Sequence, residues 1–428
     1  MNIYKNEQIE QFLANFESRR SDVSLKVERA VGDILADVKK NGDDALTRYA
    51  ARFDNVDLTV HPIRVDNSEL EKAHAELDRD LLNVIRESRE NIIKFHQRSL
   101  PQSRMSWEAD GVILGQRVSP IERVGVYVPG GRAAYPSSLL MGVIPAQVAG
   151  VSEIYVATPC DAQGRMSPEI LAAAFELGVA GVFRVGGAHG IGALAYGTES
   201  VPRVDKIVGP GNIYVATAKK LLYGQVGIDM VAGPSEVLII ADATADAQFV
   251  AADLLAQAEH DPLASAILAT NSKDLAEATV SQVREQLASL PRAEIASQAI
   301  SNFGGIVLLD DITECVEFSN RLAPEHLGLH VDDPWQVVAG IRNAGAVFLG
   351  HYSPEAVGDY WAGPNHVLPT NGSARFFSPL RAEDFLKVSS IIQYSKKAIE
   401  KHGEKIQAFA RSEGLEAHAA AIARRMAR

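Results

Sequence analysis

The stretch GVILGQRVSPIERVGVYVPGG, Gly111–Gly131, is where the chain changes its period. It is rich in Val and Ile and punctuated by Gly and Pro, which is the chemistry of strands and turns. Before it, residues 1 to about 100 read as helical. SDVSLKVERAVGDILADVKKNGDDALTRYAARFD carries apolar residues at helical spacing behind a Ser21 start signal, and a second long helix is expected from Asn67 to Ser99. After it, the short apolar runs EIYVATP, GVFRVGG, KIVGPG, EVLIIAD, SAILAT, GGIVLLDD and AGAVFLG alternate with helical segments such as SPEILAAAFELG and SKDLAEATVSQVREQLASL. That alternation is the mark of βαβ units and parallel sheets.

The spacing divides the alternating region into two α/β units, 123–234 and 235–370, the second completed by earlier strands at 101–122. A helical region, 1–100, precedes them, and a helical tail, 371–428, follows with SKKAIEKHGEKIQAFARSEGLEAHAAAIARRMAR amphipathic along its length. No internal repeat or low-complexity tract is visible. Ligands in open α/β sheets bind at the carboxyl ends of the strands, often between units.

A chain of 428 residues exceeds what one core supports, which agrees with this division. With 46% hydrophobic and 22% charged residues it is an ordinary globular composition. A net charge of -12 with no basic run argues against nucleic acid as a partner. The first residues, MNIYKNEQIEQFLANFESRR, lack the apolar core of a signal peptide, and no run approaches the length that spans a bilayer, so a cytoplasmic protein without a membrane partner is expected. Cys160 and Cys315 are the two cysteines and form no CxxC pattern. A bound metal would therefore take nitrogen and oxygen ligands.

Candidate chemistry gathers at four places. In DLLAQAEHDPLAS, Asp253 to Ser265, Gln257 and His260 are three apart and share a helix face, so both could reach one ion beyond the last turn. Helix ends also attract histidine through the dipole, and Asp-Pro commonly ends a helix, so the segment also reads as an ordinary terminus. In NRLAPEHLGLHV, Glu325 and His326 put an acid and a base where a Pro-initiated turn enters a strand; a polar loop pair is the competing reading. In PEAVGDYWAGPNHVLPTNGSARF, Asp359 and His366 occupy a long loop of the kind that carries functional side chains. His418, with Glu413 just over one turn before it, is a further ligand only if the tail folds back. His61, His74, His96 and His402 read as solvated surface histidines.

Three glycine-rich pieces, YVPGGRAAYPSSLLMG, RVGGAHGIGALAYGTESV and IVGPGNIYVATAKK, each join a strand to a helix, where freed backbone amides can cradle phosphates. Gly190, Gly192 and Ala195 spell GxGxxA, but the acid that should end the next strand is missing, since Asp205 precedes its strand. No regular dinucleotide fingerprint is assigned.

Taken in order, YVPGG, KIVGPGN, AGPSEVLIIAD, LLAQAEHDP, NRLAPEHL and GDYWAGPNHVLPT resemble the histidinol dehydrogenase family over nearly the whole chain. The resemblance implies two incomplete Rossmann-like α/β domains with helical N- and C-terminal extensions, of the aldehyde-dehydrogenase-like class, in an intertwined homodimer. It implies NAD and one Zn2+ per subunit, and oxidation of L-histidinol through L-histidinal to L-histidine. It makes 123–234 the NAD-binding domain and 101–122 plus 235–370 the metal and substrate domain. Gln257, His260, Asp359 and, from the neighbouring subunit, His418 become metal ligands; His326 and Glu325 become the catalytic acid–base residues. Ser235 and Glu413 become substrate contacts beside Gln257, His260, His326, Asp359 and His418. Tyr127, His189 and Asn212 become cofactor contacts, with His189 standing where the family usually has glutamine. A histidine reproduces only part of an amide's bonding. The competing functions are a paralogous dehydrogenase of another small polar alcohol, such as a sulfonated diol, a zinc hydrolase using Glu325 as base, and a silent binding protein.

Overall fold

The computed structural model describes residues 1–5, 7–18, 25–130 and 135–427. Ser21 lies outside them. In chain order the strands are β1 (Ile3–Tyr4), β2 (Arg104–Trp107), β3 (Ile113–Pro120), β4 (Arg123–Tyr127), β5 (Glu153–Thr158), β6 (Gly181–Arg184), β7 (Lys206–Val208), β8 (Gly227–Ile228), β9 (Glu236–Ala241), β10 (Ser265–Thr270), β11 (Gly304–Leu308), β12 (His326–His330), β13 (Ala346–Leu349) and β14 (Leu386–Gln393).

One five-stranded parallel sheet runs β6-β5-β4-β7-β8, and one six-stranded parallel sheet runs β1-β11-β10-β9-β12-β13. Within each α/β unit the strands lie in the order third, second, first, fourth, fifth. That is the doubly wound order short of its last strand. The repeat that sequence comparison along the chain does not reveal is therefore present as topology. The central strands of both sheets are almost wholly buried, which explains their continuous apolar runs.

Several expectations are corrected. The strands at 101–122 do not complete the second α/β sheet: β2 and β3 pair antiparallel with each other, and β3 with β14, in a separate three-stranded sheet. The tail beyond 371 is thus not helical throughout. The six-stranded sheet is instead completed by β1, and Phe12, Leu13 and Phe16 of the Glu7–Ser18 helix join its core with Leu238, Ile240 and Leu329. The long helix expected from Asn67 to Ser99 is two, Asn67–Glu76 and Arg79–Gln97, because Asp78 turns its carboxylate onto the Leu81 amide at 3.0 Å and caps the second. His96 is no surface histidine; it is 1% exposed with both ring nitrogens unbonded, and burial lowers its pKa.

The Leu25–Phe53 helix, bent at Gly42, lies across the Gly187–Tyr196 helix of the five-stranded unit. Gly190 and Gly192 are inside that second helix rather than in a phosphate turn. A Cβ on Gly190 would sit 2.9 Å from the Val185 carbonyl oxygen, and one on Gly192 would sit 3.1 Å from Leu35, so both permit close packing. The tail helices Lys396–Ser412 and Glu416–Met426 pack on each other, while Lys397 and Lys401 anchor the first to Asp110 at 2.7 and 2.6 Å.

Candidate active site

The helix Ala247–Ala258 is capped by Asp246 and runs back along the six-stranded sheet, so that its last turn ends at the edge where β9 and β12 begin. Gln257 is fully buried there. Its surroundings assign the amide with Nε2 toward Glu355, donating to both carboxylate oxygens at 3.0 Å and lying 3.2 Å from His326 Nδ1. The amide oxygen is thereby turned away from the carboxylate. His260 follows just beyond the helix, its amide on the Gln257 carbonyl at 3.2 Å.

Glu325 and His326 arrive from the other direction. The helix Ile312–Leu322 ends on Ala323 at φ 51, Pro324 breaks the path, and β12 begins at His326. One peptide unit of β9 fixes the pair: the Glu236 N–H donates to Glu325 Oε2 at 2.8 Å, and the Glu236 carbonyl accepts from His326 Nδ1 at 3.1 Å. With the proton on Nδ1, Nε2 is the basic nitrogen. Burial lowers the His326 pKa to about 4, so the ring is neutral at pH 7. Burial foremost, then the carboxylates of Glu236, Glu355 and Asp359, raises that of Glu325 well above the ordinary range, against the pull of the Glu236 amide.

Asp359 and Glu355 lie one turn apart on the helix Glu355–Tyr360. That segment is pinned by the Arg79–Gln97 helix, where Ser88 donates to the Tyr360 carbonyl at 2.8 Å and Asn91 to that of Trp361 at 3.0 Å. Burial alone would raise the Asp359 pKa, but His366, 3.5 Å away, together with His326 and His260, overrides it and holds the carboxylate below its usual value. Glu355, buried and close to Asp359 and Asp253, is raised well above its usual value. Ligand atoms of His260, Glu355 and Asp359 all lie within 4.8 Å of one another.

The fold therefore brings Gln257, His260, Asp359, Glu325 and His326 to one place, with Ser235 directly ahead of β9 on the same edge. His418 and Glu413 are exposed on the tail and are not brought there within one chain. Glu355 was missed by sequence reasoning; its signal was an acid four residues before Asp359 on one helical face. Against the rule for open sheets, this cluster sits at the amino edge of its own sheet, since His326 opens β12.

The cofactor candidates occupy the carboxyl edge of the five-stranded sheet. Tyr127 ends β4, its hydroxyl accepts from the Gly187 amide at 3.1 Å, and burial carries its pKa up to about 12. His189 lies in the first turn after β6, and Asn212 caps the helix after β7 by accepting from the Tyr214 and Val215 amides at 3.0 and 3.2 Å. Gly209, at φ +117, allows the turn between β7 and that helix, with Asp229 accepting its amide at 2.8 Å and Lys219 donating to its carbonyl at 2.9 Å.

Comparison with solved structures places the fold first. An acetylating aldehyde dehydrogenase from Geobacillus thermoglucosidasius, 11% identical, superposes with a TM-score of 0.51 over 91% of this chain and 97% of that one, which shows a common fold and nothing more. An acid–base pair and a ligand cluster are built onto this two-unit architecture. The family follows from sequence. The sequence model of the histidinol dehydrogenase family matches residues 17–426, and the chain belongs to that family. A histidinol dehydrogenase from Geobacillus kaustophilus is 54% identical over 92% of this chain and 92% of its own length. That of Bacillus subtilis is 52% identical over 94% of each. The crystal structure of histidinol dehydrogenase from Elizabethkingia anophelis, 40% identical, matches with a TM-score of 0.94 over 100% of this chain and 98% of that one. The protein is an oxidoreductase of histidine biosynthesis. Among the described residues no helix is long and apolar enough to cross a membrane.

Proposed function

We propose that the chain oxidises L-histidinol through L-histidinal to L-histidine, consuming two NAD and one water, as a zinc-dependent homodimer in the cytoplasm. The observation that carries the reading is the meeting of Gln257, His260 and Asp359 with Glu325 and His326 in one cluster of a chain of this family.

The donor set fits the metal. Two carboxylates and an imidazole within 4.8 Å of each other, two of the three groups largely shielded from solvent, could hold a cation between them. Gln257, His260 and Asp359 would hold it, with His418 supplied by the second subunit. Zinc, when bound, would position the substrate through its imidazole and amino nitrogens, and NAD would accept the hydrides. His326, neutral and with Nδ1 committed to the Glu236 carbonyl, takes the alcohol proton at Nε2 in the first oxidation. Glu325, whose proton affinity is raised, activates the water that hydrates the aldehyde, and His326 assists the second oxidation. Holding the aldehyde at one site protects it from side reactions. Ser235 and Glu413 contact the substrate; Tyr127, His189 and Asn212 contact NAD.

Dimer formation is supported by apolar side chains exposed on β2, β14 and the tail, with Trp107 74%, Ile392 71% and Phe409 72% exposed. The cytoplasmic setting fits two unpaired cysteines. The test is to follow NADH from zinc-loaded protein given L-histidinol and to count NADH per histidine formed. A ratio near two, which the reaction's stoichiometry requires, supports the reading; a stop at the aldehyde or no NADH sinks it. Mixed dimers of His418→Ala and His260→Ala chains should recover activity that neither variant has. Failure to recover, with subunit exchange demonstrated, removes the sharing of His418.

A further inference from the structure

At the carboxyl edge of the five-stranded sheet, a half-buried carboxylate and a buried imidazole nitrogen have bonding capacity that the described residues do not use. Asp54 directly follows the Leu25–Phe53 helix, its environment is mostly protein, and no described residue donates a hydrogen bond to its carboxylate. The closest approach is from His189 Nε2 at 3.8 Å, beyond hydrogen-bond range, and that nitrogen is itself buried without a partner. Asp54 is also close enough to Tyr127, which ends β4, and to Cys160, two residues past β5, to add to the rise in pKa that burial causes in both. The imidazole nitrogen is buried without a partner and the carboxylate beside it opens to the rim, so a ligand that brings hydroxyl groups there can meet both.

The position in the fold says which hydroxyls. In doubly wound sheets an acid at the end of the second strand bonds the ribose of the adenosine half of a dinucleotide. Here β4 is the first strand and β5 the second, and the acid next after β5 is Asp161. That carboxylate is already occupied, accepting from the Gln163 and Arg165 amides at 2.9 Å each and from Arg165 Nε at 2.8 Å. Asp54 reaches the same end of β5 from the N-terminal helix instead. Beside it the exposed ring of Phe53 stacks on Tyr49 at 5.7 Å and flanks His189 at 6.2 Å, giving an aromatic rim of the kind on which a base can rest.

We infer that Asp54 is the ribose-reading acid of this protein, accepting hydrogen bonds from the 2′- and 3′-hydroxyls of the adenosine half of NAD and rejecting a 2′-phosphate. The inference rests on the NAD reading above and adds to it the residue that separates NAD from NADP. A second negative group beside a carboxylate in a low-dielectric pocket is strongly disfavoured, whereas two hydroxyl donors satisfy it.

The experiment measures NADH and NADPH affinity by fluorescence titration without substrate, and kcat/KM with each oxidised cofactor, for the parent chain and for Asp54→Asn and Asp54→Ser. Asparagine keeps the shape and one acceptor and removes the charge; serine controls for any misplacement of the amide. Both variants should bind NADH about 10- to 100-fold more weakly, the range for a lost charge-assisted hydrogen bond, while the NAD over NADP preference falls by about tenfold or more. Unchanged NADH affinity, or an equal loss for both cofactors, overturns the inference, the second outcome being that of a merely structural residue. A parent chain that binds no NADH would instead overturn the cofactor reading itself.

Discussion

Replacing Asp54 with asparagine and His189 with glutamine, singly and together, should expose two opposite responses to acid that partly offset each other in the parent chain. Burial holds the His189 pKa down at about 4, against an ordinary value of 6.5. The native state therefore binds fewer protons than the unfolded chain between those values, and the contribution, present above pH 6.5, is lost as pH falls toward 4. At about 1.4 kcal/mol per pKa unit the full loss is about 3 kcal/mol, of which about 2 kcal/mol is realised between pH 7 and pH 4.5. Asp54 runs the other way. Burial raises its pKa from 3.8 to about 6, so the native state binds more protons, and its contribution, present below the ordinary value, is lost as pH rises through 6. Acidification over the same interval returns about 1 kcal/mol once partial solvent screening is allowed for. Urea unfolding at pH 7 and pH 4.5 measures the balance, with the double variant as reference so that acid losses elsewhere in the chain cancel. Relative to it, Asp54→Asn should lose about 2 kcal/mol on acidification, His189→Gln should gain about 1 kcal/mol, and the parent should lose about 1 kcal/mol. Single variants that respond to acid as the double variant does, within about 0.5 kcal/mol, would refute the reasoning.

Three further outcomes are expected. Glu355→Ala should speed zinc release to a chelator about 10- to 100-fold by freeing the Gln257 amide to turn, and the effect should disappear in a Gln257→Ala background. If it persists there, Glu355 acts on the metal directly rather than through the glutamine. In single-turnover assays His326→Ala should slow oxidation of the alcohol, whereas Glu325→Gln should chiefly slow oxidation of added aldehyde; equal losses in both steps would undo the division of roles. Gly209→Ala, at φ +117 with the new Cβ 2.1 Å from the Tyr127 carbonyl oxygen, should destabilise the five-stranded unit by more than about 2 kcal/mol in urea unfolding and abolish NADH binding; a variant of parental stability would show that the turn can relax.

The alternation of apolar runs and helices was legible because buried parallel strands are apolar through their middles, as in Val237–Ala241 and Ala266–Ala269. The last turn of the Ala247–Ala258 helix and the entry to β12 were legible for a different reason: polar side chains stood where the local pattern called for apolar ones. Pairing across long separations was not. Nothing local tells β3 to take β14 as its neighbour, or tells the two residues of β1 to close the edge of a sheet whose other strands begin more than two hundred residues later. Asp78 looked like one more polar residue on a continuing helix until its capping bond was seen. Glu355 resembled the acid that commonly opens a helix, and its role depends on meeting Gln257 from a distant segment. Asp54 reads as the polar end of a helix, and only the fold shows that this end reaches the rim of the five-stranded sheet.

The tail helices rest on each other and on Asp110 rather than on the cluster at Gln257 and Asp359. Under the proposed sharing of His418 with a neighbouring subunit, metal occupancy and subunit association would be linked equilibria. Each must then favour the other by the same free energy. Dilution should loosen the ion, and chelation should loosen the dimer.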